Sequence, residues 1–241
     1  MRLARSILCA AFFLLFGAGG LAFALLLLFP LPKPVARRML KTSFRFFVWL
    51  GRVTRLFRVQ ISPADRRMLA SLSGSVVVSN HLTLIDVIIL LSAVGDAVCV
   101  TKESVSRNPF MCAVARNVLI VNDSPLAVLR RARRHLADRV NVIVFPEGTR
   151  TPAAAKHVFR RGAAHIALLS GAPVETVSIA CYPPVLAKRQ PWWDVGGRTI
   201  TYVVRCRGRL ENPPPDGRGR GSARVRAVAL TAQMHERIFG A

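Results

Sequence analysis

His81 and Asp86 stand five residues apart in Ser79-Asn80-His81-Leu82-Thr83-Leu84-Ile85-Asp86, between the run Val76-Val77-Val78 and the apolar stretch 87–91. No other feature constrains the fold as tightly. The triple valine reads as a buried strand and the following stretch as a helix, which places the pair at a strand-to-helix turn. On one continuous helix that spacing would set the two side chains roughly 140° apart. They meet only if His81 lies in the turn and Asp86 in the first helical turn. A histidine held by a carboxylate can serve as a base, with the carboxylate as its orienting partner.

A second segment, Val142-Ile143-Val144-Phe145-Pro146-Glu147-Gly148-Thr149-Arg150-Thr151, repeats the logic. A buried-strand pattern runs into Pro and Gly, and polar side chains gather at its C-terminal end. Open α/β sheets bind ligands at the carboxyl ends of their strands. Around these segments, short β-branched runs alternate with helical patterns. Strands are expected at 75–79, 97–101, 118–121, 142–145, 175–181 and 199–205, and helices at 86–92, 108–115, 125–139, 158–169 and 223–238. Ser124 and Pro125 form an N-cap and first-turn pair for the third helix. The alternation predicts an α/β domain with a largely parallel sheet flanked by helices.

Asn80-His81-(x4)-Asp86 followed by Phe145-Pro146-Glu147-Gly148-Thr149-Arg150 resembles the glycerolipid acyltransferases of the lysophosphatidic acid acyltransferase type. The resemblance covers about residues 76–182. Supporting matches are Lys102-Glu103 with Asn108-Pro109-Phe110, Phe159-Arg160-Arg161-Gly162-Ala163-Ala164, and Ala172-Pro173-Val174. It implies acyl transfer from a thioester, acyl-CoA or acyl carrier protein, to the hydroxyl of a lysophospholipid. The first expectation for the acceptor is 1-acyl-glycerol-3-phosphate, giving phosphatidate. His81 would be the general base and Asp86 its partner. Because the substrate supplies the nucleophile, no protein serine or cysteine need be acylated. Ser79 and Thr83 read as turn or capping residues. Backbone amides near the start of the next helix are expected to hold the oxyanion.

The resemblance further implies that Glu147, Gly148, Thr149 and Arg150 shape the acceptor site, with Lys102 as a second cation. Arg150 offers a planar fork for phosphate, Gly148 allows close backbone approach, and Thr149 adds a hydroxyl. One departure stands out: in Val118-Leu119-Ile120-Val121-Asn122-Asp123 the family usually carries an arginine where this chain has Asn122. Either Lys102, Arg116 or Arg150 compensates, or the acceptor is a specialised lipid rather than a simple lysophosphatidate.

The formal charge of +23, from 35 Lys+Arg against 12 Asp+Glu, calls for a polyanionic partner. Acyl-CoA, acyl carrier protein and an anionic membrane all qualify. Nucleic acid is not expected: no binding motif is present, and 52% hydrophobic residues favour the membrane. A serine-type lipid hydrolase is opposed by the missing GxSxG elbow. Cys9, Cys99, Cys112, Cys181 and Cys206 are scattered without CxxC spacing, so neither zinc nor a disulfide framework is expected. The scheme needs no cofactor and no metal.

Residues 7–29 carry no charge and end at Pro30-Leu31-Pro32. A stretch of this length can cross a hydrocarbon core of about 30 Å. Arg2 and Arg5 precede it, whereas Lys33, Arg37, Arg38 and Lys41 follow, which predicts an inner-membrane protein with its catalytic domain facing the cytoplasm. Residues 35–59 mix apolar positions with Arg37, Arg38, Lys41, Arg45, Arg52 and Arg55, and the first acid of the chain is Asp65. A basic amphipathic helix of this kind reads as an interfacial element against anionic headgroups. The helical pair either spans the bilayer or lies in one leaflet. The expected division is 1–60 as membrane anchor and basic helix, and 61–241 as catalytic domain.

Overall fold

A computed structural model of the chain describes residues 2–26, 31–106, 117–186, 190–191, 193, 196–212 and 219–240. Two helices open the chain, α1 (Arg2–Leu26) and α2 (Lys33–Val53), before an edge strand β1 (Phe57–Ile61) and α3 (Pro63–Ser71). The alternating part follows: β2 (Val76–Ser79), α4 (Asp86–Ala93), β3 (Ala97–Lys102), α5 (Glu103–Ser106), β4 (Leu119–Asn122), α6 (Pro125–Ala137) and β5 (Asn141–Val144). It closes with α7 (Gly162–Ser170), β6 (Val174–Tyr182), β7 (Ile200–Leu210) and α8 (Gly219–Phe239). The seven strands form one sheet in the order β1-β7-β6-β2-β5-β3-β4, parallel throughout except where β6 meets β7. This is the α/β fold with a largely parallel sheet expected from the alternation.

The central runs 76–78 of β2 and 142–144 of β5 are apolar at every position because both faces are covered. Val76 and Val78 pack under α6, α7 and α8, while Val77 faces the opposite layer with α2 and α4. The Ser124 hydroxyl accepts the Ala127 N–H at 3.3 Å, so α6 starts at the predicted cap. Gly171, at φ +70° and donating its N–H to the Ala167 carbonyl, stops α7 in the left-handed conformation that suits glycine. Helix α7 begins at Gly162 rather than at 158, because the Arg160 N–H is drawn to the Pro146 carbonyl at 2.9 Å and keeps that segment extended. The expected helix 108–115, with Asn108-Pro109-Phe110, Cys112 and Arg116, lies outside the described residues.

The helix expected over 35–59 ends at Val53, and residues 57–61 pair with β7 as the sheet's edge. Arg55, at φ +57°, turns the chain between them. The basic stripe of α2 also has a structural use. Arg37 forks onto Asp96 at 2.8 and 2.7 Å, and Arg45 donates to the Ser92 carbonyl at 3.1 Å. Lys41 donates to the carbonyls of Val94 and, at 2.8 Å, Gly95. Cations four residues apart therefore close the carbonyl end of α4, where the helix dipole favours positive charge. Burial and the neighbouring Arg45 push the Lys41 ammonium down to about 8.

Helix α1 has a stretch, Leu3–Phe23, long and apolar enough to cross a membrane, with a mean hydropathy of 2.1. One side packs on the domain: the Phe12 ring lies 4.2 Å from Phe47 and 5.7 Å from Phe57. Arg5 ties its N-terminal turn to the Arg198 carbonyl at 2.8 Å and the Arg55 carbonyl at 3.3 Å. Leu3, Ile7, Leu14, Leu15, Leu21 and Leu25 on α1 are exposed, as are Phe46 and Trp49 on α2.

Candidate active site

Strands β2 and β5 are register neighbours, Val76 opposite Val142 and Val78 opposite Val144, so their C-terminal ends reach the same level. The chain leaving β2 is fixed at once by Asn80. Its side-chain amide donates to the Ile179 carbonyl and accepts the Ile179 N–H, both at 2.8 Å, continuing the ladder to β6 through a side chain. His81 then emerges at the sheet's rim.

Asp86 begins α4 and is fully buried. Its Oδ2 accepts the N–H groups of Leu82 and Thr83, each at 2.7 Å, and its Oδ1 accepts the Thr83 hydroxyl at 2.6 Å. The carboxylate thus organises the turn that carries the histidine, at a helix N-terminus where negative charge is favoured. His81 Nδ1 lies 3.0 Å from Oδ2. An ionised carboxylate only accepts, so the hydrogen is assigned to Nδ1 and the lone pair to Nε2. The ring rests on Phe145, centroids 4.5 Å apart, and is 17% exposed. The imidazole is held on one side and remains partly accessible.

The second motif grips the same residue by its backbone. Glu147 Oε1 accepts the His81 N–H at 3.1 Å, and Thr151 donates its N–H to the His81 carbonyl at 2.8 Å. Gly148, at φ +67°, makes the tight bend that lets Glu147 turn inward, with its N–H on the Phe145 carbonyl at 3.0 Å. The two motifs therefore form one constellation held by backbone contacts.

The remaining expected site residues lie at the same end of the sheet. Thr149 and Arg150 are half-buried, with Arg150 Nη1 donating to the Leu186 carbonyl at 3.0 Å. Lys102 is exposed at the end of β3, in register with Asn122 at the end of β4. Beside Asn122, Arg131 of α6 pairs with Asp123 and donates to the Val121 carbonyl at 2.9 Å.

Four amides of the turn before α4 are engaged within the protein. Those of His81, Leu82, Thr83 and Ile85 donate to Glu147, Asp86, Asp86 and the Thr83 hydroxyl. Ser79 is buried, with its hydroxyl on the Asn80 carbonyl. Thr83, read as a capping residue, holds the Asp86 carboxylate through its N–H and its hydroxyl. Thr151 escaped notice because its contribution is a peptide N–H, which every non-proline residue carries.

A family model described as acyltransferase matches residues 58–180, spanning both motifs. The chain belongs to the acyltransferase family. This acyltransferase is 26% identical over 167 residues to the 1-acyl-sn-glycerol-3-phosphate acyltransferase of Haemophilus influenzae, covering 65% of this chain and 67% of that one. It is 27% identical over 146 residues to 1-acyl-sn-glycerol-3-phosphate acyltransferase alpha of Mus musculus, where it spans 49% of the relative's length. The fold matches the crystal structure of PlsC, the 1-acyl-sn-glycerophosphate (LPA) acyltransferase of Thermotoga maritima, with a TM-score of 0.66 at 21% identity. That match covers 98% of this chain and 97% of the other, so α1 and α2 belong to the shared architecture.

Proposed function

We propose that this acyltransferase moves a fatty acyl group from acyl-CoA or acyl carrier protein to the hydroxyl of a lysophospholipid, with 1-acyl-glycerol-3-phosphate as the first acceptor to test. The observation that carries the reading is the 3.0 Å contact between His81 Nδ1 and a buried Asp86. Nε2 takes the proton of the acceptor hydroxyl as its oxygen attacks the thioester carbonyl. The tetrahedral intermediate collapses, the C–S bond breaks, and the imidazolium returns the proton to the leaving thiolate. Asp86 fixes the tautomer and stabilises the imidazolium. Lys102, Thr149 and Arg150 supply the acceptor's phosphate with cations and donors, and Gly148, without a side chain, lets the backbone come close.

Asn122 supports a second acceptor reading. Without the arginine, Lys102, in register with Asn122, is a cation at that rim, which suits a lipid whose anionic group sits differently from that of lysophosphatidate.

The exposed apolar faces of α1 and α2 hold the enzyme on the membrane. Arg5 anchors α1 to carbonyls of the α/β domain, and Phe12 packs on Phe47 and Phe57. That arrangement favours a helical pair seated in one leaflet of the inner membrane, with α1 and α2 as the anchor and the sheet from β1 onward on its cytoplasmic side.

Purified enzyme is incubated with labelled acyl-CoA or acyl carrier protein, with and without a panel of lysophospholipids. Acyl transfer that requires the acceptor supports the proposal, and acceptor-independent release of fatty acid overturns it. Arg150→Ala should raise acceptor KM more than donor KM; an unchanged acceptor dependence reassigns that residue.

A further inference from the structure

Among the described residues Glu147 makes two polar contacts, both through the same oxygen. Its Oε1 accepts the His81 N–H at 3.1 Å and lies 3.2 Å from His157 Nδ1. The His157 contact has ion-pair distance without the alignment of a hydrogen bond, so it acts by setting a polar ring nitrogen against the carboxylate. Oε2 is buried and meets no hydrogen-bond partner among the described residues. The carboxylate is 5% exposed as a residue, and the His157 side chain is 8% exposed. A carboxylate this far from water is costly unless a donor or a cation faces it. Removing His157 would strip it of one of its two partners and leave the other, a neutral peptide N–H, to hold the charge alone.

His157 is itself held from beyond the family match, which ends at residue 180. Its ring stacks on Phe239 of α8 at 4.4 Å with planes 32° apart, and its carbonyl faces His235 Nε2 at 3.1 Å. Phe159 closes the cluster, edge-on to His235 at 5.2 Å. A chain of contacts therefore runs from the last turns of α8, through His157 and Glu147, to the peptide of His81.

We propose that His157 is a positioning residue for acyl transfer: it keeps the Glu147 carboxylate under the His81 N–H, and the C-terminal end of α8 keeps His157 in place. The proposal rests on reading His81 as the base. His157→Phe preserves a ring against Phe239 and removes the polar nitrogen that faces Glu147. His157→Asn loses the ring but sets an amide N–H near the position of Nδ1. H157F is expected to lower kcat about tenfold or more with both KM values within about twofold, since a small misplacement of a base is expensive in rate. H157N should recover most of that loss. In a Glu147→Gln background, H157F should cost nothing further, because a residue acting only through Glu147 shows full coupling in a double-mutant cycle.

A purely structural histidine would give the opposite pattern, with H157F folded and active, H157N impaired, and the two substitutions multiplying. Wild-type kcat in H157F, or losses in H157F and E147Q that multiply, would overturn the proposal. Should H157F not fold, His157→Met fills the same space without a donor and is read in its place. The base assignment is tested apart: near-wild-type turnover in His81→Ala removes it, whatever the cycle at Glu147 and His157 reports.

Discussion

Thr151 donates its peptide N–H to the carbonyl of His81 at 2.8 Å, so the loop after β5 fixes the residue after β2 without using a side chain. With Glu147 on the N–H of the same residue, both polar groups of the His81 peptide unit are committed. The side chain of Thr151 has a smaller part, its hydroxyl reaching the Thr149 carbonyl at 3.4 Å. Thr151→Ala keeps the N–H and should retain kcat within about twofold, whereas Thr151→Pro removes it and should lower kcat about tenfold or more. Steady-state rates on both variants, beside melting curves to confirm folding, check the contrast. Equal activity in the two would mean that the backbone grip is dispensable.

Asp86 receives three hydrogen bonds from Leu82 and Thr83 in addition to facing His81. Asp86→Asn keeps the shape, loses the charge, and can present an N–H to Nδ1, inverting the tautomer. Turnover should fall about a hundredfold or more. Thr83→Val leaves the charge but deletes the 2.6 Å hydroxyl bond, with an expected stability loss of about 1.5–3 kcal/mol and a smaller fall in rate. Denaturant unfolding and acyl-transfer rates on the two variants separate the stability effect from the tautomer effect. An Asp86→Asn enzyme with wild-type turnover would remove Asp86 from the mechanism.

Asn80 is matched on both sides to Ile179, and only an amide can be donor and acceptor there at once. Asn80→Asp brings a buried carboxylate against the Ile179 carbonyl. It should destabilise the fold by about 2–4 kcal/mol. Thermal unfolding reads the effect directly; an unchanged melting temperature would show that the β2–β6 junction is held without this side chain.

Several elements were legible because a local pattern and the global fold agree on them. Val76 to Val78 and Val142 to Val144 are apolar at every position, which marks strands covered on both faces, and the spacing of His81 and Asp86 demands the turn that is found. Phe57-Arg58-Val59-Gln60-Ile61 alternates with the period of a strand, yet it follows a basic helical pattern without a glycine or proline to end it. The break is made by Arg55 at positive φ, a conformation no arginine advertises. The cations at 37, 41 and 45 read as a lipid-facing stripe because their targets, the Asp96 carboxylate and the carbonyls ending α4, come from a segment about fifty residues away. The family resemblance implies an acceptor-site role for Glu147. That its carboxylate turns inward depends on the bend at Gly148 and on His157, neither of which a one-dimensional pattern relates to His81.

The buried thiols and Lys41 give stability a pH dependence of two opposite signs. Burial pushes the Cys99 thiol up to about 12, and the Cys206 thiol to about 12 with Asp65 adding to the effect. Burial likewise raises Cys181 to about 11. In the unfolded chain such thiols lose their protons from about pH 8.5, while the folded thiols remain neutral. The unfolded state then binds fewer protons, so their contribution is complete below that pH and is lost as pH climbs toward 12. Lys41 acts the other way. Its folded value of about 8 lies below the unfolded one, so between those two values the unfolded state binds more protons and stability rises with pH. Equilibrium unfolding in detergent across pH 7 to 11 should therefore show a gain beginning near pH 8, opposed and then exceeded by the thiol losses at higher pH. Lys41→Met should flatten the gain, and Cys99→Ala should make the later fall shallower while costing some stability at neutral pH. Native protein at pH 8 should also resist alkylation at Cys99 and Cys181, read by mass spectrometry against a denatured control. Rapid labelling of Cys99 in the folded enzyme would contradict its burial between the sheet and α4.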